Sequence, residues 1–125
     1  MHTIEVHHEF CAAHALTIAG ASEPVHGHNF RVKAAIVADD LDADGLVCDF
    51  HTAREILVEI CDPFTNRSLN DTPPFDTHNP TAEHLARHIA DTLAERLDDS
   101  IAPARVGWVR VTEAPGCAAT YTRPR

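Results

Sequence analysis

His26 and His28 flank a single glycine, and His14 stands twelve residues before them in the run Phe10-Cys11-Ala12-Ala13-His14. In an extended strand successive side chains point to opposite faces, so His26 and His28 share one face and Gly27 between them adds no bulk. A third imidazole from His14 completes a three-nitrogen set with one position left open. Such a set suits catalytic zinc, whereas structural zinc is usually closed by four protein ligands. The chain has ten histidines, so one His-x-His carries little weight until the elements around it are placed.

Those elements follow from hydrophobic spacing. Residues 4–12 are strand formers that run into His14. The stretch 30–38 opens with alternating apolar and charged residues and predicts a strand with one wet face. Between them, residues 14–25 hold Gly20, Ser22 and Pro24 and read as a loop; residues 39–45 form an acidic turn. After Asp49, Ala53, Ile56, Leu57 and Ile60 recur at helical spacing until Pro63. A proline- and Asn/Asp-rich loop follows to about residue 78. Leu85, Ile89, Leu93 and Leu97 mark a second helix, with Asn79 as its cap, Pro80 as its first residue, and Asp98-Asp99-Ser100 and Pro103 at its end. Segments 106–113 and 118–122 predict two closing strands joined around Pro115-Gly116. The order is β-β-α-α-β-β in one α+β domain over 1–125.

Composition narrows the partners. A net charge of −9 with Lys33 as the sole lysine argues against a general basic field for nucleic acid, though an anionic small molecule remains compatible. No stretch has the apolar length of a membrane span, and the N-terminus lacks the pattern of a signal peptide. Cys11, Cys48, Cys61 and Cys117 show no C-x-x-C spacing and predict reduced, mostly buried thiols in a cytoplasmic protein. Aromatic residues are few and alanines many, so contacts between subunits would complete the burial of a small core.

Six segments in order resemble the 6-pyruvoyl-tetrahydropterin synthase and 6-carboxytetrahydropterin synthase family. They are Phe10-Cys11-Ala12-Ala13-His14, His26-Gly27-His28, Gly45-Leu46-Val47-Cys48-Asp49-Phe50, Ser68-Leu69-Asn70-Asp71, Asn79-Pro80-Thr81-Ala82-Glu83, and Val111-Thr112-Glu113 followed by Tyr121. The resemblance covers nearly the whole chain. It implies the T-fold: a four-stranded antiparallel sheet with two helices on one face, three subunits closing a barrel, and two trimers stacked as a hexamer. It implies zinc on His14, His26 and His28, a pterin ring anchored by Glu113, and Thr81 lining the ring pocket. The family substrate is 7,8-dihydroneopterin triphosphate.

The chain departs from that family in its proton-transfer groups. Many relatives place a cysteine four residues before the first histidine of His-Gly-His, where this chain has Ser22. Relatives also carry an Asp-His pair at the positions of Thr65 and Asn66. A serine hydroxyl is scarcely ionised near neutral pH, and neither Thr65 nor Asn66 relays a proton as imidazole does. Glu23 lies three residues before His26, where one subgroup of the family carries a glutamate in place of the cysteine and cleaves the pterin side chain. That subgroup keeps the Asp-His pair, which this chain lacks. Cys11, three residues before His14, faces the opposite side of its strand and reads as core; Cys117 reads as structural. His84 and His88 share a helix face with Asp91 and Glu95 that reads as solvated, and His7 and His8 point to opposite sides of their strand.

Three functions follow. The first is a homologue that keeps the pterin pocket and the three-histidine ligand set without the standard 6-pyruvoyl or 6-carboxy reaction. The second is a zinc-dependent lyase on 7,8-dihydroneopterin triphosphate or a related pterin, with Glu23 as base. The third is a pterin-binding oligomer without catalysis.

Overall fold

The computed structural model describes residues 1–98 and 103–125. Strand β1 (His2–His14) and strand β4 (His26–Ala38) pair antiparallel over their whole lengths, from His2 opposite Ala38 to His14 opposite His26. Between them, β2 (Thr17–Ile18) and β3 (Ala21–Ser22) form a small separate hairpin. Helix α1 (Phe50–Cys61), the short strand β5 (Arg67–Ser68) and helix α2 (Ala82–Asp98) follow. Strands β6 (Arg105–Ala114) and β7 (Cys117–Thr122) complete a sheet of order β5-β1-β4-β6-β7. The four long strands are antiparallel, as expected. The fifth, β5, lies parallel to β1 at Ala12 and Ala13.

Period-two alternation sorts the sheet into two unlike faces. Val6, Phe10, Ala12, Phe30, Val32, Ala34, Ile36, Val109 and Val111 are buried under the helices. Ala53, Ile56, Leu57 and Ile60 of α1 and Leu85, Ile89, Leu93 and Leu97 of α2 meet them in one apolar cluster. Leu93 is fully buried in that cluster. Its truncation to alanine is expected to lower the unfolding free energy by about 2–5 kcal/mol, read as a shifted denaturant midpoint.

Of the intervening residues, Glu9, Cys11, Asn29, Arg31 and Arg110 lie on the opposite face and are exposed, while Ala35 and Val37 are buried. Cys11 therefore points away from His14, as the strand period requires, but it is not core. Both described helices pack on the other face, and the Cys11 thiol donates to Asn29 Oδ1 at 2.6 Å. The four cysteines are free, with Cys48 and Cys61 buried and Cys11 and Cys117 exposed. Burial pushes the Cys61 thiol up to about 12, with Asp62 adding to it.

The helix starts are set by side-chain caps. Asp49 accepts from His51 N–H at 2.7 Å and opens α1 where the sequence predicts. Helix α1 gives way after Cys61 to a 3₁₀ turn that contains Pro63. The start of α2 differs from the sequence reading by two residues. Thr81 Oγ1 accepts from His84 N–H at 3.0 Å, and the helix begins at Ala82. Asn79 is not the cap because its carboxamide is bound to Thr17 instead. Of the helix end read at Asp98-Asp99-Ser100 and Pro103, residues 99–102 lie outside the described residues. No helix among the described residues is long and apolar enough to cross a membrane.

Candidate metal centre

The β1–β4 ladder ends in three imidazoles. His14 lies opposite His26 and Ala12 opposite His28. Cross-strand partners share a face, as do residues two apart, so the three rings converge on the helix side. Their centroids stand 4.7, 4.8 and 5.1 Å apart, steeply inclined to one another. One nitrogen from each ring lies within 4.8 Å of the others, the only such three-donor group found among the described residues. Phe30 meets the edges of His14 and His28 at 5.4 and 5.5 Å and forms the floor.

Two backbone carbonyls decide which nitrogens face the centre. His14 Nδ1 lies 2.8 Å from Pro80 O, and His26 Nδ1 lies 2.9 Å from Pro24 O. A carbonyl only accepts, so each Nδ1 carries the proton and the Nε2 of the neutral ring keeps its lone pair. Nε2 of His14 and of His28 are buried without a hydrogen-bond partner. A polar atom left in that state costs about 1–3 kcal/mol, which coordination recovers. Burial also holds the His28 imidazole below its ordinary pKa, against the pull of Glu113, and so favours the neutral, ligating form. The donor set fits zinc: three neutral nitrogens, two of them oriented by carbonyls behind the ring.

Two carboxylates border this centre. Glu113, near the end of β6, brings Oε2 to 3.8 Å from His14 Nε2. It also lines a cavity of about 430 Å³ with His28, Asn29, Arg31 and Thr112. Glu23 follows the β2–β3 hairpin and brings Oε1 to 3.7 Å from His26 Nε2. That oxygen accepts from Leu16 N–H at 3.0 Å, and Glu23 N–H donates to Leu16 O at 2.9 Å.

The other residues singled out from the sequence lie apart from this group in varying degree. Ser22 is exposed on the hairpin, its hydroxyl 3.4 Å from that of Thr17. Thr65 donates its hydroxyl to Cys61 O at 3.0 Å, finishing the turn after α1. Asn66 has a left-handed backbone, φ +59°. It lines a cavity of about 590 Å³ with His28 and Cys11. Thr81 spends its hydroxyl on the α2 cap, one residue beyond the carbonyl that holds His14. His88 is not solvated as the sequence reading had it. It packs against Phe64 and Phe75 at 5.7 and 5.6 Å, and burial lowers its pKa.

Sequence reasoning missed two residues of the site's support. The Asn70 carboxamide accepts from Ala15 N–H and donates to Ala15 O, both at 2.8 Å. Asn79 does the same to Thr17, both at 2.9 Å. The only signal for either was its place inside a family motif.

A mixed five-stranded sheet with two helices on one face, ending in three histidines placed to hold a metal ion and flanked by two glutamates, defines an α+β protein with a candidate metal centre. Comparison with known proteins gives the particular family. The chain matches the family model described as 6-pyruvoyl tetrahydropterin synthase over residues 3–124, and it belongs to that family. A Bacillus subtilis 6-carboxy-5,6,7,8-tetrahydropterin synthase is 29% identical over 111 residues, 86% of this chain and 73% of that protein. An Archaeoglobus fulgidus protein provisionally given the same name is 32% identical over 87 residues, 70% of this chain and 71% of that protein. Among solved structures, the Caenorhabditis elegans 6-pyruvoyl tetrahydropterin synthase superposes with a TM-score of 0.82 at 23% identity, covering 98% of this chain and 95% of its own. A Plasmodium vivax 6-pyruvoyltetrahydropterin synthase variant, with a glutamate described as a catalytic residue changed to alanine, superposes at 0.74 with 19% identity, covering 98% and 99%. The shared fold is the T-fold.

Proposed function

We propose that this chain is a zinc-dependent lyase that cleaves the side chain of 7,8-dihydroneopterin triphosphate or a related pterin, with Glu23 as base, and that it does not carry out the 6-pyruvoyl or 6-carboxy reaction. One observation carries this reading. Of the residues weighed as proton carriers, Glu23 has its carboxylate at the histidine centre, whereas Ser22 and Thr65 spend their hydroxyls elsewhere.

Zinc held by His14, His26 and His28 would supply Lewis acidity toward the side-chain hydroxyls. The protein residues do the rest. Glu113 accepts hydrogen bonds from the amino and ring N–H groups of the pterin and sets the side chain against the centre. Glu23 removes the proton of the second side-chain hydroxyl; the bond between the first and second side-chain carbons breaks, and its electrons pass into the ring imine. A proton returned to the first carbon gives 6-hydroxymethyl-dihydropterin, and the second carbon leaves as an aldehyde bearing the triphosphate. Mass spectrometry of the reaction on the zinc-loaded protein tests this directly. The expected product is 6-hydroxymethyl-dihydropterin. A 6-pyruvoyl or 6-carboxy product overturns the proposal, and so does unchanged substrate.

Glu113→Gln is expected to weaken pterin binding about a hundredfold, read by calorimetric titration, because a charged acceptor is lost and an amide N–H is turned toward ring donors. Thr81 would border the same ring through its backbone, its hydroxyl being committed to the helix. The free thiols suit a cytoplasmic setting. The unpaired edges of β7 and of β1 before Ala12 suit closure of three sheets into a barrel, and two such trimers make a hexamer. A light-scattering mass of six chains checks this.

A further inference from the structure

Ala15, Leu16 and Thr17 link His14 to the hairpin that carries Glu23, and they behave as a three-residue strand with two working edges. Along an extended chain the N–H and C=O groups of alternate residues point to opposite sides. On one side, Ala15 and Thr17 are each bonded in both directions by a carboxamide, Asn70 at 2.8 Å and Asn79 at 2.9 Å. On the other side, Leu16 bonds Glu23 twice. Its N–H reaches the Glu23 carboxylate at 3.0 Å, and its C=O takes the Glu23 N–H at 2.9 Å. Each asparagine thus stands in for a neighbouring strand, and the segment between them and Glu23 transmits their position to the carboxylate.

We infer that Asn70 and Asn79 are positioning residues for Glu23. Resting on the role given to Glu23 above, the inference extends the site to two side chains whose carboxamides bond the backbone of Ala15 and Thr17 rather than the histidine rings. They act in parallel from independent segments. Asn70 is the middle residue of the 3₁₀ turn Leu69–Asp71 after β5, while Asn79 precedes the Pro80 carbonyl that holds His14. The second arm therefore ties the metal ligand and the base to one short run of backbone. With both in place Leu16 has one position, and so does the Glu23 oxygen it holds. With either removed, one end of the segment is free to shift. A displacement on the order of 1 Å at a reacting group costs up to about a hundredfold in rate.

The test compares the parent with Asn70→Ala, Asn79→Ala and Glu23→Gln. The bonds of Asn79 to Thr17 lie at an exposed site, so their loss leaves no buried polar group unpaired and does not threaten folding. Asn79→Ala therefore keeps the test open even where Asn70→Ala fails to fold. Amide hydrogen exchange at Leu16 and Glu23 is expected to quicken at least tenfold in the alanine variants while that of Val32 and Ile36 stays at the parent value. Zinc affinity, measured against a competing chelator, is expected to hold within about threefold, and KM within about twofold, while kcat falls about tenfold to a hundredfold. Parent-like protection at Leu16 and Glu23 together with parent-like kcat overturns the inference. Parent-like kcat in Glu23→Gln instead overturns the role of the base, and the exchange data then still decide whether the asparagines hold the segment.

Discussion

Glutamine at position 23 is expected to lower kcat by about 10²- to 10⁴-fold while leaving KM and zinc content close to those of the parent. The magnitude is what a positioned acid-base group typically supplies, equivalent to about 3–5 kcal/mol of barrier. The substitution is a narrow one. Glutamine keeps the length of the side chain and keeps an oxygen to accept the Leu16 N–H that Glu23 Oε1 now accepts at 3.0 Å. The hairpin therefore stays where it is, and only the capacity to take a proton is removed. Glu23→Asp should retain part of the rate, because the carboxylate survives but is drawn back from its place 3.7 Å from His26 Nε2. Steady-state turnover of 7,8-dihydroneopterin triphosphate gives the result. A Gln variant as fast as the parent removes Glu23 from the mechanism.

The second large effect concerns His14. In the parent, zinc at a thousand times its Kd is expected to add about 4 kcal/mol to the unfolding free energy, a rise in melting temperature of roughly ten degrees or more in a chain of this size. In His14→Ala that gain should almost vanish, because two imidazoles on one strand remain and the ligand from the partner strand is gone. The metal-free variant should itself be less stable by roughly 1–3 kcal/mol. It loses the bond from Nδ1 to Pro80 O and opens a void where a fully buried ring met Phe30. The loss is moderated by one gain, since the unpartnered Nε2 is removed as well. Melting curves of both proteins with added zinc and with a chelator separate these contributions. A parent whose melting is indifferent to zinc shows that the three histidines are not a metal centre.

The sequence and the structure agree where a short period governs, and they part where contacts are long-range. His14, His26 and His28 were legible because a strand repeats every two residues and an antiparallel partner lies directly across. The α1 start was legible because Asp49 caps locally. The hairpin inside the 14–25 segment was not, since its two-residue turn is Ala19-Gly20, with φ of +51° and +82°. Asn-Gly would have announced that turn; alanine in a left-handed position does not. Cys11 shows the limit of the period itself, which fixes the face a side chain occupies but not whether anything covers it. Asn70 and Asn79 reach residues 55 and 62 positions away through backbone groups. No spacing of side-chain types records such bonds. The two-residue slip in the α2 start has the same origin, because Asn79 is engaged at a distance and Thr81 takes over the cap.

The segment 15–17 has a consequence for how such proteins diverge. Its bonds to Asn70, Asn79 and Glu23 are all made by main-chain N–H and C=O groups, so the side chains of Ala15 and Leu16 could change without breaking them provided the chain stays extended. The requirement on sequence falls instead on their remote partners, one amide in each of two other segments. A superposition at 23% identity with a TM-score of 0.82 is what such an arrangement permits: the backbone is inherited, and the alphabet along it is rewritten.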